Sequence, residues 1–158
     1  MKRYEEIIAS AARKVGLNVS RVNSNLERLP IEAAPADRAT IDFIRPFTMT
    51  SAERVWSLLE AVRYLIDQGI QGDFAECGVW RGGSVMAMAR KLGELGVTDR
   101  RIWLYDTFSG MTAPTAKDIE EATGVSAADL MNSTDLGDGN NVWAFATMAD
   151  VVSNLSLT

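Results

Sequence analysis

Residues Asp73 to Ser84 read Asp-Phe-Ala-Glu-Cys-Gly-Val-Trp-Arg-Gly-Gly-Ser. An apolar stretch with an acidic residue near its end runs into a glycine turn, and the turn opens a segment of helical character. A strand that ends this way exposes the free backbone N–H groups of the helix start, and the glycines let a ligand approach the main chain closely. This is the layout of a nucleotide-cofactor site, and it commits the chain to a strand–turn–helix unit of an α/β sheet.

The positions that glycine does not occupy narrow the ligand. In the dinucleotide fingerprint G-x-G-x-x-G the second glycine lets a pyrophosphate touch the backbone. Counted from Gly78, that slot holds Trp80, and an indole there opposes NAD or FAD. The spacing that remains is acidic-x-Gly-x-x-x-Gly, from Glu76, Gly78 and Gly82. It suits a cofactor without a pyrophosphate, such as S-adenosylmethionine.

Composition removes other chemistries. The chain has 158 residues, 47% of them hydrophobic and 23% charged, which bounds it to at most one ordinary soluble domain. With no histidine, Ser-His-Asp and Cys-His mechanisms and His-based zinc sites are excluded, so acid–base work falls to carboxylate, lysine or tyrosine. The single cysteine, Cys77, lies in the apolar strand and is expected to be a small core residue. A net charge of −5 without a basic cluster leaves no electrostatic footprint for nucleic acid. The charged start and the lack of a long apolar run predict a cytoplasmic protein with no membrane partner.

Periodicity predicts the elements. Tyr4, Ile7, Ile8, Ala11 and Val15 mark a helix over 3–15 that stops at Gly16. From Leu17 to Thr50 the pattern fades around Pro30, Pro35 and Pro46, leaving only a short extended piece at Ile41–Ile44. Thr50 as N-cap with Glu53 at N3 predicts a capping box, opening a helix whose face of Val55, Leu58, Leu59, Val62, Leu65 and Ile66 runs to Gly69. A strand at Asp73–Val79 leads to a helix over Gly83–Leu95 that turns Val85, Met86, Ala89 and Leu92 inward and ends at Gly96, with its methionines as core filler. A second strand, Arg101–Asp106, completes a parallel βαβ unit. Glu76 and Asp106 would then face one crevice at the carboxyl end of the sheet, where an acidic residue grips the ribose hydroxyls or, alternatively, caps a helix. Farther on, short helices are expected at Thr115–Thr123 and Ala127–Met131, a turn at Asp135–Asn141, and a helix over Val142–Leu155 capped by Asn141. With only two strong strands, the chain is expected to stop midway through a doubly wound fold.

Three blocks carry a resemblance: Thr48-Met49-Thr50-Ser51-Ala52-Glu53-Arg54, Gly72 through Ser84, and Ile102-Trp103-Leu104-Tyr105-Asp106-Thr107-Phe108-Ser109-Gly110-Met111. In this order they resemble the macrocin O-methyltransferases of the TylF/MycF type, S-adenosylmethionine-dependent sugar O-methyltransferases of macrolide and related antibiotic pathways. Val142-Trp143, Ala149-Asp150-Val151 and Asn154-Leu155 extend the resemblance, which covers about residues 40–158.

The resemblance implies an α/β fold, a Rossmann-like class I methyltransferase with extra N-terminal helices and an incomplete parallel sheet. Residues 1–50 would be an N-terminal helix and lid-like segment, and 51–158 the first part of the Rossmann-like domain, its C-terminal half absent. It also implies assembly as dimers or larger. At matching positions Glu76, Gly78 and Ser84 would hold the methionyl end of the cofactor, with Gly82 and Gly83 in the same turn. Asp106 would hold the ribose, and Met49-Thr50-Ser51 would close over the cofactor. Arg81 would pair with a carboxylate or stand in solvent. The family's Mg²⁺ is held by aspartates on later strands, one of them thought to be the general base. Those strands are not in this sequence, so no catalytic residue or metal ligand is assigned.

The implied reaction is in-line attack of an acceptor hydroxyl, on a sugar or macrolide-like small molecule, at the sulfonium methyl. Two rival readings stand beside it: a catalytically inactive truncated fragment, and a nicotinamide-dependent Rossmann enzyme, which Trp80 opposes.

Overall fold

The computed structural model describes Leu29 and residues 31–133 and 143–158. The helix expected at 3–15 and the turn at 135–141 lie outside the described residues. Helix α1 spans Pro35–Ile44 and leads through a 3-10 turn, Arg45–Phe47, to α2 at Ala52–Asp67. Strand β1 (Phe74–Cys77), helix α3 (Gly83–Glu94) and strand β2 (Ile102–Tyr105) form the βαβ unit, followed by α4 (Ala127–Ser133) and α5 (Met148–Leu155).

The prolines that broke the sequence pattern bracket a helix. Pro35 occupies the first turn of α1, where its missing N–H costs nothing and its fixed φ favours the helix. Asp37, Thr40, Ile41 and Ile44 are the buried positions, a helical and not an extended spacing. The expectation of an extended piece at Ile41–Ile44 is therefore corrected. The start of α2 differs too. Its N-cap is Ser51, with no side-chain cap, and no capping box from Thr50 forms. The Thr50 N–H instead bonds Thr48 Oγ1 at 3.0 Å, a local turn that competes with capping.

Both long helices stop where glycine permits. Gly69 adopts φ 63, its N–H bonds Ile66 O and the Ile70 N–H reaches back to Leu65 O. Gly96 repeats this pairing on Gly93 and Leu92.

The two strands pair in parallel, Phe74 against Ile102 and Cys77 against Tyr105. Phe74, Ile102 and Leu104 pack onto a core of Val62, Val79, Val85, Met88, Leu92 and Val151. Alternation sends Ala75, Cys77, Trp103 and Tyr105 to the other face, where Trp103 is 47% and Tyr105 59% exposed. Cys77 is thus an exposed thiol and not the expected core residue. Asp73 fastens the strand start by accepting the Arg101 N–H and the Trp103 indole N–H.

Helix α3 is central. Met86 and Ala87 meet Ile41, Ile44, Val55 and Leu59 of α1 and α2, while Val85, Met88 and Leu92 meet the core below the sheet. A helix apolar on two sides must be buried between layers, and its methionines fill the gaps as expected. Ala89 is only half-buried. Within this interior Lys91 Nζ lies 2.5 Å from Asp37 Oδ1 and 2.8 Å from Glu94 Oε2. Burial works to lower the Lys91 pKa, but the hydrogen bonds to Asp37 and Glu94 outweigh it and hold it above its ordinary value. The ion pair locks α1 to α3.

The remainder departs from the periodicity. No helix forms over 115–123. Asp118 accepts from the Thr115 N–H and hydroxyl, and an antiparallel bridge joins Ile119 to Ser126. Helix α4 begins at Ala127 as expected, with Ser126 Oγ receiving the Asp129 N–H. Helix α5 starts at Met148: residues 143–147 of the expected helix are not helical, and Asn141 and Val142 lie outside the described residues. Its cap is Thr147, which forms a capping box with Asp150.

Lys91→Met is expected to destabilise the fold by about 3–5 kcal/mol, because it strands the Asp37 carboxylate in the core. The double variant Asp37→Leu/Lys91→Met should recover most of that loss in urea unfolding. Equal losses in the single and double variants would show that the pair does not couple the helices.

Candidate functional site

Strand β1 delivers Glu76 to the end of the sheet, and the Gly78 N–H continues the ladder by bonding Tyr105 O at 2.9 Å. The chain then bends through Gly78 (φ 87), Trp80 (φ 46) and Gly82 (φ 92), where Gly82 is the N-cap of α3. Trp80 therefore adopts the left-handed backbone that a glycine would take there. For a bulky residue this costs of order 1–3 kcal/mol and needs an external restraint.

Asp106 at the end of β2 supplies the restraint. Its Oδ2 accepts the Val79 N–H at 2.6 Å and the Trp80 N–H at 3.2 Å, and its Oδ1 accepts the Phe108 N–H at 2.8 Å. Successive backbone N–H groups bent in this way form a concave anion site. Here the protein's own carboxylate fills it. Burial pushes the Asp106 pKa up, but the N–H groups of Phe108, Val79, Trp80 and Thr107 prevail and hold it below the ordinary aspartate value.

Close packing fixes the start of α3. A Cβ on Gly83 would come within 2.6 Å of Phe47 O and Thr48 Cβ, so only glycine lets the 47–48 backbone lie against the helix. Met49, Thr50 and Ser51 follow directly from that contact, with Met49 exposed and the other two half-buried. On the other side Gly82 faces Val151 and Leu155 of α5, and Asn154 donates to Arg81 O at 3.0 Å. The Arg81 guanidinium stacks over the Trp80 ring, 4.8 Å from its centroid.

Glu76 is half-buried, and Ser84 stands in the first turn of α3. Burial raises the Glu76 pKa, and the influence of the Ser84 hydroxyl only partly offsets this. The sheet end thus carries two carboxylates displaced in opposite directions.

A cavity of about 530 Å³ opens there, lined by Gly78, Trp80, Tyr105, Asp106, Gly110 and Met111 among others. Of the residues expected from the sequence, Gly78 and Asp106 line it. Glu76, Gly82, Gly83, Ser84 and Met49–Ser51 are not among its lining residues: Glu76 stands in β1, the others belong to the start of α3 or follow Thr48, which packs on Gly83. Sequence reasoning missed Trp80, Tyr105 and Met111 as lining residues. Strand alternation marks Tyr105, whereas Met111 is placed by a distant contact, its N–H bonding Trp143 O at 2.9 Å. Among the described residues no three His, Cys, Asp or Glu side chains converge as a metal site, and no helix is long and apolar enough to cross a membrane.

Comparison with known proteins places this geometry. Residues 10–137 match the family model described as macrocin-O-methyltransferase (TylF). The chain is 42% identical over 64 residues to 8-demethyl-8-(2,3-dimethoxy-alpha-L-rhamnosyl)-tetracenomycin-C 4'-O-methyltransferase of Streptomyces olivaceus, a match covering 40% of this chain and 24% of that enzyme. It is 35% identical over 71 residues to mycinamicin III 3''-O-methyltransferase of Micromonospora griseorubida, covering 45% of this chain and 28% of that enzyme. The solved structure of the O-methyltransferase NovP aligns with a TM-score of 0.51 at 26% identity, over 70% of this chain and 42% of NovP. Each match therefore spans less than half of the relative. The βαβ unit agrees with the Rossmann-like α/β fold read from the sequence, and by the extent of the family match the chain belongs to the macrocin O-methyltransferase (TylF) family.

Proposed function

We propose that this chain forms the methyl-donor site of an S-adenosylmethionine-dependent O-methyltransferase acting on a hydroxyl of a sugar or natural-product acceptor. The observation that carries the reading is the Asp106 carboxylate seated on the Val79 and Trp80 N–H groups. In a dinucleotide site those groups would face the pyrophosphate. Here a fixed negative charge occupies them and repels a phosphate. A cationic sulfonium cofactor needs no such anion site. The relatives, named for O-methylation of a rhamnosyl-tetracenomycin and of mycinamicin III, support the same chemistry and this class of acceptor.

In this reading Glu76 faces the ammonium group of the methionyl end, and Ser84 orients the Glu76 carboxylate. Gly78, Gly82 and Gly83 keep side chains out of the turn. Asp106 borders the ribose end, and Met49, Thr50 and Ser51 cover the site from the side that Thr48 anchors. When bound, S-adenosylmethionine supplies an electrophilic methyl group on a good leaving group. The protein's part is then to orient that methyl and keep water from it. The described residues do not fit a Mg²⁺ site.

Calorimetric titration with S-adenosylmethionine, S-adenosylhomocysteine and NAD in parallel tests the reading. The two adenosyl-sulfur ligands should bind and NAD should not; tight NAD binding, or no binding of the sulfur ligands, would sink it. Glu76 gives a second prediction. Its folded pKa is raised, so the native state holds more protons and stability falls as pH rises through that raised value. Glu76→Gln should therefore raise the thermal midpoint at neutral pH while weakening S-adenosylhomocysteine about 10- to 100-fold, the loss of a charge-assisted contact. In the wild type, affinity should decline on acidification at a pH above the ordinary glutamate range. A variant that is less stable yet binds normally would contradict the assignment.

A further inference from the structure

We propose that the outer edge of β2 pairs with the same edge of a second copy of this chain, antiparallel about a two-fold axis at Trp103. The two-stranded sheets of both copies then join into one, with the β2 strands at its centre and the β1 strands outside.

The ladder shows which backbone groups are free for this. The Phe74 and Gly78 N–H groups bond Arg101 O and Tyr105 O. In a parallel pair the residues that bond the neighbour alternate with those that face away. Arg101, Trp103 and Tyr105 therefore serve β1, and the N–H and C=O groups of Ile102 and Leu104 point outward. Among the described residues no strand pairs with that edge. A row of unpaired donors and acceptors is a template for another strand, and a two-stranded sheet is marginal by itself.

The side chains select orientation and register. Strand β2 is preceded by Arg100 and Arg101 and followed by Asp106. Parallel self-pairing would set like charge beside like, whereas antiparallel pairing sets the basic end against the acidic one. Placing Ile102 opposite the partner's Leu104 makes two such pairs by symmetry and uses every outward N–H and C=O of both strands. Trp103 then meets the partner's Trp103 at the axis. Arg101 lies opposite the partner's Tyr105, a cation beside an aromatic ring. Trp103 is 47% and Tyr105 59% exposed in the single chain, so both have surface to cover.

The other edge lacks this match. By the same alternation β1 turns the backbone of Ala75 and Cys77 outward, and its two-fold pairing would put Glu76 directly opposite the partner's Glu76, with Asp73 adding to the negative charge. A two-fold contact must be self-complementary, and only the β2 edge is.

Sedimentation velocity on the 158-residue chain tests the proposal. The mass should approach twice that of the chain as concentration rises. Over the same range amide exchange at Ile102 and Leu104 should slow at least about tenfold, while Leu59 keeps its rate. A monomer at every concentration would overturn the proposal, including one whose Ile102 and Leu104 amides are protected, because the chain's own residues would then cover the edge. Trp103→Lys sets like charges at the axis and should leave a folded monomer with Leu59 exchange unchanged. A dimer indifferent to that change would place the contact elsewhere and also overturn it.

Disulfide trapping reads the register without relying on that variant. Cys77 is the single cysteine, so in a Cys77→Ser background any bridge reports the introduced thiol. Trp103→Cys should bridge two chains on mild oxidation, because a non-hydrogen-bonded pair holds its Cα atoms about 4.5 Å apart. Arg101→Cys would stand about 13 Å from its own copy along the paired strands and should not bridge. No bridge at Trp103→Cys, or an equal one at Arg101→Cys, would refute the two-fold.

Discussion

The hydrogen bonds from Val79 and Trp80 to Asp106 tie the end of one strand to the turn that leaves the other. Two parallel strands fix little by themselves, since a short ladder leaves the connecting turn free. The carboxylate makes that turn part of the sheet end. From there the restraint spreads by packing: Gly82 against Val151 and Leu155, Gly83 against Phe47 and Thr48. Helix α3 is aimed as a result. Its buried faces can then meet α1 and α2 on one side and the strands on the other.

The two carboxylates at this sheet end illustrate how environment divides labour between like groups. Asp106 is surrounded by N–H donors and its proton is easily lost. Glu76 is half-buried, and burial makes its charge costly. A carboxylate held by backbone N–H groups keeps its charge in place at the cavity wall. One left short of donors gains a great deal from a cationic partner. Groups pushed apart in this way mark a functional division, which is why Glu76 faces the ammonium in the proposed site.

Much of the framework was legible because it rests on local signals. The glycine stops at Gly69 and Gly96, the apolar face of α2 and the strand–turn–helix around Gly78 are all short-range patterns. What escaped depends on partners far along the chain or on competing local bonds. Helix α1 was hidden because Pro35 reads as a breaker until it stands at the first turn. The Thr50 capping box lost to the Thr48 turn, and the Thr115–Thr123 helix to Asp118 bonding back onto Thr115. Cys77 was misplaced by treating an apolar strand as buried on both faces, whereas the described elements cover one. Within the site the residue types were readable. The occupation of the anion nest, which links positions 27 and 26 residues apart, was not.

Trp80 joins these threads. A glycine at that position would adopt the same backbone without strain. An indole cannot hold a left-handed φ unaided, so its presence makes sense only with an acceptor that secures its N–H. Asp106 secures it and, by filling the nest, also removes the feature that a dinucleotide would seek. Steric bulk and charge therefore act in the same direction. The tryptophan that first argued against a pyrophosphate by its size is held in place by the carboxylate that argues against one by its sign.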